Sequence, residues 1–288
     1  MSEEQASQPG GSYGFIESFC GPGGMSLGLE RAGFRPLFSF DLNEKAVATH
    51  RANLPGPCEV LDASTVKGPA LLKQLGLRRG ELALFSGGPP CQGFSKQKRG
   101  AHRGDARNAL VLEYARLVQE IRPRVFLFEN VAIFGKKRGQ KYLKLIQEKL
   151  SSYQLTPHFY NCADYGLAQT RERFVMVGVR NDQHARFRVP PPTASPWKTV
   201  GEVLDGLPEP PEDHSVHPDY KNHQRARVTP INIKRFSYVP QGGGWRDIPY
   251  ELRLPCHQKV DVSSGGWPDV YGRLAADGQC PTLSLIHI

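Results

Sequence analysis

The stretch Leu82-Ala83-Leu84-Phe85, followed after Ser86 by Gly87-Gly88-Pro89-Pro90-Cys91-Gln92-Gly93-Phe94-Ser95, organises the reading of this chain. The short apolar run predicts a buried strand, and the glycines and prolines behind it end the strand abruptly. Two prolines stiffen the backbone just before Cys91, and glycines flank it. A thiol delivered to a strand end on a braced loop is well placed to act as a nucleophile and poorly placed to fill a core.

Outward from this point, strand-like and helix-like segments alternate. Tyr13 to Phe19 predicts the first strand, and Met25 to Ala32 a helix closed by Gly33. Pro36 to Phe40 predicts a second strand running into Asp41, and Asn43 is positioned to cap a helix reaching about Asn53. Glu59 to Leu61 predicts a third strand and Val125 to Phe128 a fifth. Between the fourth and fifth strands, Leu110, Tyr114, Leu117, Val118 and Ile121 recur at helical spacing, with Pro123 as the stop. Tyr142 to Leu150 predicts another helix, and Arg173 to Val179 a late strand with Val175, Val177 and Val179 on one face. This alternation argues for an α/β domain over residues 13–185, a mostly parallel sheet with helices on both faces.

Near Arg186 prolines, glycines and charges take over and periodicity fades, so residues 186–282 predict a second, small, loop-rich domain. Residues 1–12 are polar and Gly/Ser-rich, and predict a disordered tail without the apolar core of a signal peptide. Across 288 residues, 39% apolar and 23% charged content belong to the composition of a globular protein. No run approaches the roughly 20 apolar residues that cross a bilayer. The six cysteines form no Cys-x-x-Cys pair and no zinc-finger spacing, so free thiols in a reducing cytoplasm and no metal are expected. The net charge of +9 favours a polyanionic partner, nucleic acid first. Bases cluster at Lys96, Lys98, Arg99, His102, Arg103 and Arg107, directly behind Cys91, and again around Arg225.

Phe19-Cys20-Gly21-Pro22-Gly23-Gly24 lies between the first strand and its helix, where glycines and free helix N–H groups accept a ligand or simply turn the chain. It departs from the Gly-x-Gly-x-x-Gly fingerprint, which disfavours a nicotinamide dinucleotide. Asp41 and Asp62 end the next two strands, where a carboxylate serves either a nucleoside or a helix cap. Glu129 closes strand five in Phe128-Glu129-Asn130-Val131. In a parallel sheet the carboxyl ends of strands four and five open onto one crevice, so Cys91 and Glu129 are expected to face the same cavity. Gln169-Thr170-Arg171-Glu172-Arg173 opens the late strand with two arginines at alternate positions, for salt bridges or for a site.

Pro89-Pro90-Cys91-Gln92-Gly93-Phe94-Ser95 resembles the catalytic loop of the C5-cytosine-specific DNA methyltransferases of bacterial restriction-modification systems. Phe19-x-Gly21-x-Gly23-Gly24, Glu129-Asn130-Val131, Asn161 to Gly166 and Gln169-x-Arg171-x-Arg173 resemble that family's other motifs, in the same order. The resemblance implies a Rossmann-like methyltransferase fold and S-adenosyl-L-methionine as cofactor. Phe19, Gly21, Gly23 and Gly24 would wrap its methionine part, Asp41 its ribose and Asp62 its adenine, with Leu42 against the adenine ring. Cys91 would attack carbon 6 of cytosine, Glu129 would serve nitrogen 3, and Arg173 the base carbonyl. Arg171 would support the site or a phosphate. The segment Gln92 to Arg107 reads as a lid over DNA. Duplex DNA, a cognate restriction endonuclease, a monomeric state and no membrane follow as the expected partners. An RNA cytosine-5 methyltransferase, or a DNA-binding fragment without catalysis, are the alternatives.

The resemblance breaks at the end. The Arg-Glu-Ala-Ala-Arg and Gly-Asn-x-Val-Pro-Pro segments of the family do not follow Pro281-Thr282. For residues 283–288, Leu-Ser-Leu-Ile-His-Ile, the codon choice CTG-TCT-CTT-ATA-CAC-ATC would spell a transposon-end sequencing adapter. A C-terminally truncated chain with a non-native tail is the expectation.

Overall fold

A computed structural model describes residues 13–90, 109–136, 139–260 and 270–282. Two compact units emerge. One runs as far as Tyr160 and resumes over Glu172–Pro190; the other combines Asn161–Arg171 with the chain from Pro191 onward. The composition change near Arg186 lies close to the last of these crossings, whereas the short excursion at Asn161–Arg171 has no compositional mark.

The first unit is built from β1 (Gly14–Ser18), α1 (Gly24–Arg31), β2 (Arg35–Asp41), α2 (Glu44–Asn53), β3 (Cys58–Val60), α3 (Gly68–Gln74), β4 (Leu84–Gly87), α4 (Leu110–Ile121), β5 (Val125–Val131), the single turn α5 (Ala132–Gly135), α6 (Gln140–Lys149), β6 (Tyr153–Asn161) and, after the excursion, β8 (Glu172–Arg180). One seven-stranded sheet has the order β3-β2-β1-β4-β5-β8-β6. The pairs β1–β2, β1–β4, β2–β3 and β4–β5 are parallel, and β8 runs antiparallel to β5. The chain winds one way from β1 to β3 and the other way from β4 onward. A crevice therefore opens at the carboxyl ends of β1 and β4, the switch point where α/β sheets bind ligands.

Alternation explains the core. Phe38 and Phe40 of β2 and Phe126 and Phe128 of β5 stand on one face with Ile16 and Phe85, packed on Leu71 and Leu72 of α3, Ile146 of α6 and the buried stripe of α4. In that stripe, Val111, Tyr114, Ala115, Leu117, Val118 and Ile121, four residues are those expected from the helical spacing, while Val111 takes the buried place expected of Leu110, which is only half-buried. α4 ends at Arg122 in a left-handed conformation, φ 56°, with Pro123 behind it. Cys20, Val47 and Cys58 make a separate small cluster. At the head of α2, Asn43 caps as expected, its side chain accepting from the Ala46 N–H at 3.1 Å.

Several elements differ from the pattern. β4 begins two residues later than its apolar run, and β5 continues through Glu129 to Val131 because β8 pairs along its whole length. β6 was not anticipated: it is an edge strand carrying Pro157, largely half-buried, and so lacks an apolar run. α3 escaped because it has only two turns and opens on Pro69.

The second unit holds β7 (Gln169–Thr170) paired parallel with β9 (Cys280–Pro281), and the short helices α7 (Val200–Leu204), α8 (Pro230–Phe236) and α9 (Pro255–Gln258). Thr199 and Glu202 form a capping box on α7. Its small core gathers Val239, Trp245 and Ile248, with Leu252 and Tyr271 against it. Among the described residues of both units, no helix is long and apolar enough to cross a membrane.

The Tyr114 hydroxyl lies 3.2 Å from the Phe85 carbonyl of β4 and 2.9 Å from the Leu127 carbonyl of β5, in a fully buried setting. It ties the two central strands together from the helix side. Tyr114→Phe is expected to cost about 1–2 kcal/mol, seen as a lower urea midpoint with an unchanged slope.

Candidate active site

The loop after β1 descends in a conformation few side chains adopt. Phe19 sits at φ 53°, Gly21 at φ 53° and Gly23 at φ 99°. At Gly23 a Cβ would lie 2.2 Å from Leu54 Cδ1 and 2.9 Å from the His50 ring, so only glycine fits. The loop is tied to the end of β2. Asp41 Oδ2 accepts from the Gly21 N–H at 2.9 Å, and its Oδ1 accepts from the Asn43 N–H at 2.8 Å.

A cavity of about 670 Å³ opens here. Phe19, Gly21, Asp41, Leu42 and Asp62 line it, together with Leu61, Ser64, Gly88, Pro90, Leu110 and Glu113. Five of the seven residues expected at a cofactor thus share one cavity, while Gly23 and Gly24 are outside its lining. The constraint at Gly23 points toward α2 instead. Leu42 is 67% exposed, a bare apolar side chain at the rim. Asp62 Oδ1 accepts from both the backbone N–H and the hydroxyl of Ser64, at 2.8 Å each, and these bonds hold its carboxyl below the usual range.

Glu113 escaped sequence reading. It sits in the first turn of α4 with nothing but helical spacing to mark it. Arg116 braces it at 2.7 Å, pairs with Glu120 at 2.7 Å and donates to the Ala63 carbonyl at 2.9 Å. Glu120 in turn accepts from the Gly68 N–H at 2.7 Å, which fastens α4 to the start of α3.

On the other side of β4, the parallel register Gly87↔Phe128 sets Gly88 beside Glu129. The approach is close: a Cβ on Gly88 would stand 2.9 Å from Glu129 Oε2. Asn130 Nδ2 donates to the Pro89 carbonyl at 3.0 Å. The chain leading into Cys91 is therefore laid along Glu129 and Asn130 as far as Pro90. Cys91 itself and the lid expected over Gln92 to Arg107 lie outside the described residues. Arg173 Nε meets Glu129 Oε1 at 2.9 Å, a diagonal pair across β5 and β8. Arg171 belongs to the second unit, where its backbone N–H donates to Asn161 Oδ1 at 3.1 Å.

The family comparison agrees with this geometry. Residues 13–249 match the model of the C-5 cytosine-specific DNA methylase family. The chain belongs to that family. It is 34% identical to the Type II methyltransferase M.PspPI of Psychrobacter sp. over 99% of its own length and 66% of that protein's. It is 32% identical to the Type II methyltransferase M1.HphI of Haemophilus parahaemolyticus, over 84% of this chain and 65% of that one. The chain thus spans slightly under two thirds of these relatives' lengths. A solved structure from E. coli, described as a DNA modification methyltransferase encoded within a prophage, superposes with a TM-score of 0.69 at 26% identity, over 94% of this chain and 82% of that one. The mostly parallel seven-stranded sheet flanked by helices is that of an α/β methyltransferase fold.

Beneath the glycine loop of this methylase domain, Glu17 is buried, 1% exposed, and accepts from the Ser26 hydroxyl. Burial, offset in part by Ser26, pushes its carboxyl up to about 7. Between about pH 4.5 and 7 the folded protein holds a proton that the unfolded chain has released, so stability falls as pH rises through that window. Glu17→Gln is expected to remove this slope, a difference on the order of 3 kcal/mol between the ends of the window, measured by urea unfolding at a series of pH values.

Proposed function

We propose that this chain carries the catalytic core of a DNA (cytosine-5-)-methyltransferase, using S-adenosyl-L-methionine as methyl donor and cytosine in duplex DNA as acceptor. The observation that carries the reading is that residues 88–90, which precede the family's Cys91 motif in sequence, run along Glu129 and Asn130 of a different strand.

The lined cavity fits the cofactor's chemistry. Leu42 offers a bare apolar surface for a planar base, and Asp41 and Asp62 offer carboxylate oxygens for ribose hydroxyls and an amino group. Phe19 and Gly21 border the space for the amino-acid end. When bound, the cofactor supplies an electrophilic methyl group.

Cytosine carbon 5 is a weak nucleophile. Addition of the Cys91 thiolate at carbon 6 converts the ring to an enamine, nucleophilic at carbon 5. Glu129 provides the proton at nitrogen 3 that this charge shift calls for. Arg173, paired with Glu129, holds that carboxyl in orientation and in this reading serves the base carbonyl. Loss of the carbon 5 proton and elimination of Cys91 regenerate the thiol and release 5-methylcytosine. The base must leave the duplex stack for this to occur. Within the second unit, the local cluster of bases around Arg225 is the DNA-recognition surface of this reading. A monomer acting in the cytoplasm, beside an endonuclease of matching specificity, completes it.

Duplex DNA carrying 5-fluorocytosine tests the reading, because fluorine in place of the departing proton traps the adduct. With the methyl donor present, a stable covalent complex is expected with the protein and none with Cys91→Ser. Glu129→Gln is expected to slow single-turnover methyl transfer by roughly 10²-fold or more. Transfer to tRNA in preference to duplex DNA would replace the substrate assignment. DNA binding without any adduct would leave a recognition fragment.

A further inference from the structure

Below the glycine loop, three potential metal-binding side chains from three segments converge without being close in sequence. Cys20 comes from the loop after β1, His50 from α2 and Cys58 from the start of β3. Their thiol sulfurs and one imidazole nitrogen all lie within 4.8 Å of one another, and all three residues are buried. The two sulfurs are 3.7 Å apart. That is far beyond a disulfide bond, and close to the edge of about 3.8 Å that two thiolates span when each is about 2.3 Å from a tetrahedral zinc ion.

The histidine supplies an independent observation. His50 is 1% exposed, and its Nδ1 has no hydrogen-bond partner. Its Nε2 lies 3.2 Å from the Ser26 hydroxyl, which donates to Glu17. With the Ser26 proton given to Glu17, the Ser26 oxygen accepts from Nε2–H, and Nδ1 is left as a buried, unsatisfied lone pair. A carboxyl group acting on a histidine through its far nitrogen is the outer arrangement that metal-binding histidines use to fix their tautomer. Burying a lone pair without a donor is costly, and a cation satisfies it.

We propose that Cys20, His50 and Cys58 form a structural site for a thiophilic d¹⁰ cation, zinc in the first instance. Two thiolates and a neutral imidazole around a divalent ion carry no net charge, which suits a buried cluster. Three protein donors leave one corner of a tetrahedron for a small fourth ligand. Loading displaces two thiol protons into solvent, so affinity rises with pH. The ion would staple the glycine loop to α2 and β3. This inference is independent of the catalytic reading: a chain that methylates nothing would still hold the ion.

The test uses the whole chain, expressed with zinc and purified under reducing conditions. About one equivalent of zinc is expected after desalting, in the protein and in Cys256→Ser and Cys91→Ser. Cys58→Ser and His50→Ala are expected to lose it. Cobalt substitution should give the intense sulfur-to-cobalt charge-transfer absorption of thiolate ligation. Because the variants can unfold, a second measurement uses the unaltered chain: a strong chelator should expose Cys20 and Cys58 to alkylation and leave Cys256 labelled equally with and without it. Three results would overturn the proposal: no retained zinc, zinc retained by the Cys20→Ser/Cys58→Ser double variant, or a Cys20–Cys58 disulfide recovered by mass spectrometry.

Discussion

The parallel pairing of β4 with β5 is the constraint on which the rest of this structure depends. It fixes Gly87 opposite Phe128 and so brings the next residue, Gly88, close against the Glu129 carboxyl. Tyr114 holds the same two strands from behind through their carbonyls. A slip of one residue in this register would turn Glu129 to the opposite face and remove it from the crevice. The same strand, β5, binds antiparallel β8 along seven residue pairs, Val125↔Val179 to Val131↔Arg173, and so receives Arg173 beside Glu129. One register thus positions Glu129, Arg173 and residues 88–90.

The cofactor side rests on a different kind of bond. Asp41 spends an oxygen on each of two backbone N–H groups, which ties the turn after β1 to the turn after β2. The cost of the turn is visible in the left-handed Phe19, a conformation that a bulky residue adopts only where its surroundings enforce it. Asp41 therefore shapes the cavity wall as well as offering oxygens to it. Arg116 does comparable work at the far wall, where it joins Glu113 and Glu120 on α4 to the Ala63 carbonyl.

Much of this was legible in the sequence, and the reasons are physical. β1, β2, α2 and α4 follow from apolar spacing, the Asn43 cap and the Pro123 stop, because local rules and tertiary packing agree there. The order of motifs around Phe19, Asp41, Cys91 and Glu129 identified the family before any contact was known. What escaped depended on pairing at a distance. β6 is an edge strand without a continuous apolar run, and the extension of β5 to Val131 is imposed by β8. Glu113 carries no signal beyond its place on an amphipathic helix. The convergence of Cys20, His50 and Cys58 is invisible to spacing rules, since the nearest two are eight residues apart and the ends are drawn together only by the β1–β2–β3 pairing. Gly23 shows the reverse case: the motif singled it out, but its need for glycine comes from Leu54 and His50 and not from the cavity.

The excursion at Asn161–Arg171 bears on how relatives of this chain exchange parts. β7 lies in that excursion, yet its partner β9 is at Cys280–Pro281, more than a hundred positions downstream. The second unit is therefore discontinuous in the gene. A recombination event that swapped only the segment after Pro191 would graft a new β9 onto an old β7. A viable hybrid must carry both pieces or keep that two-stranded seam compatible, which makes the seam a filter on which second units this scaffold accepts.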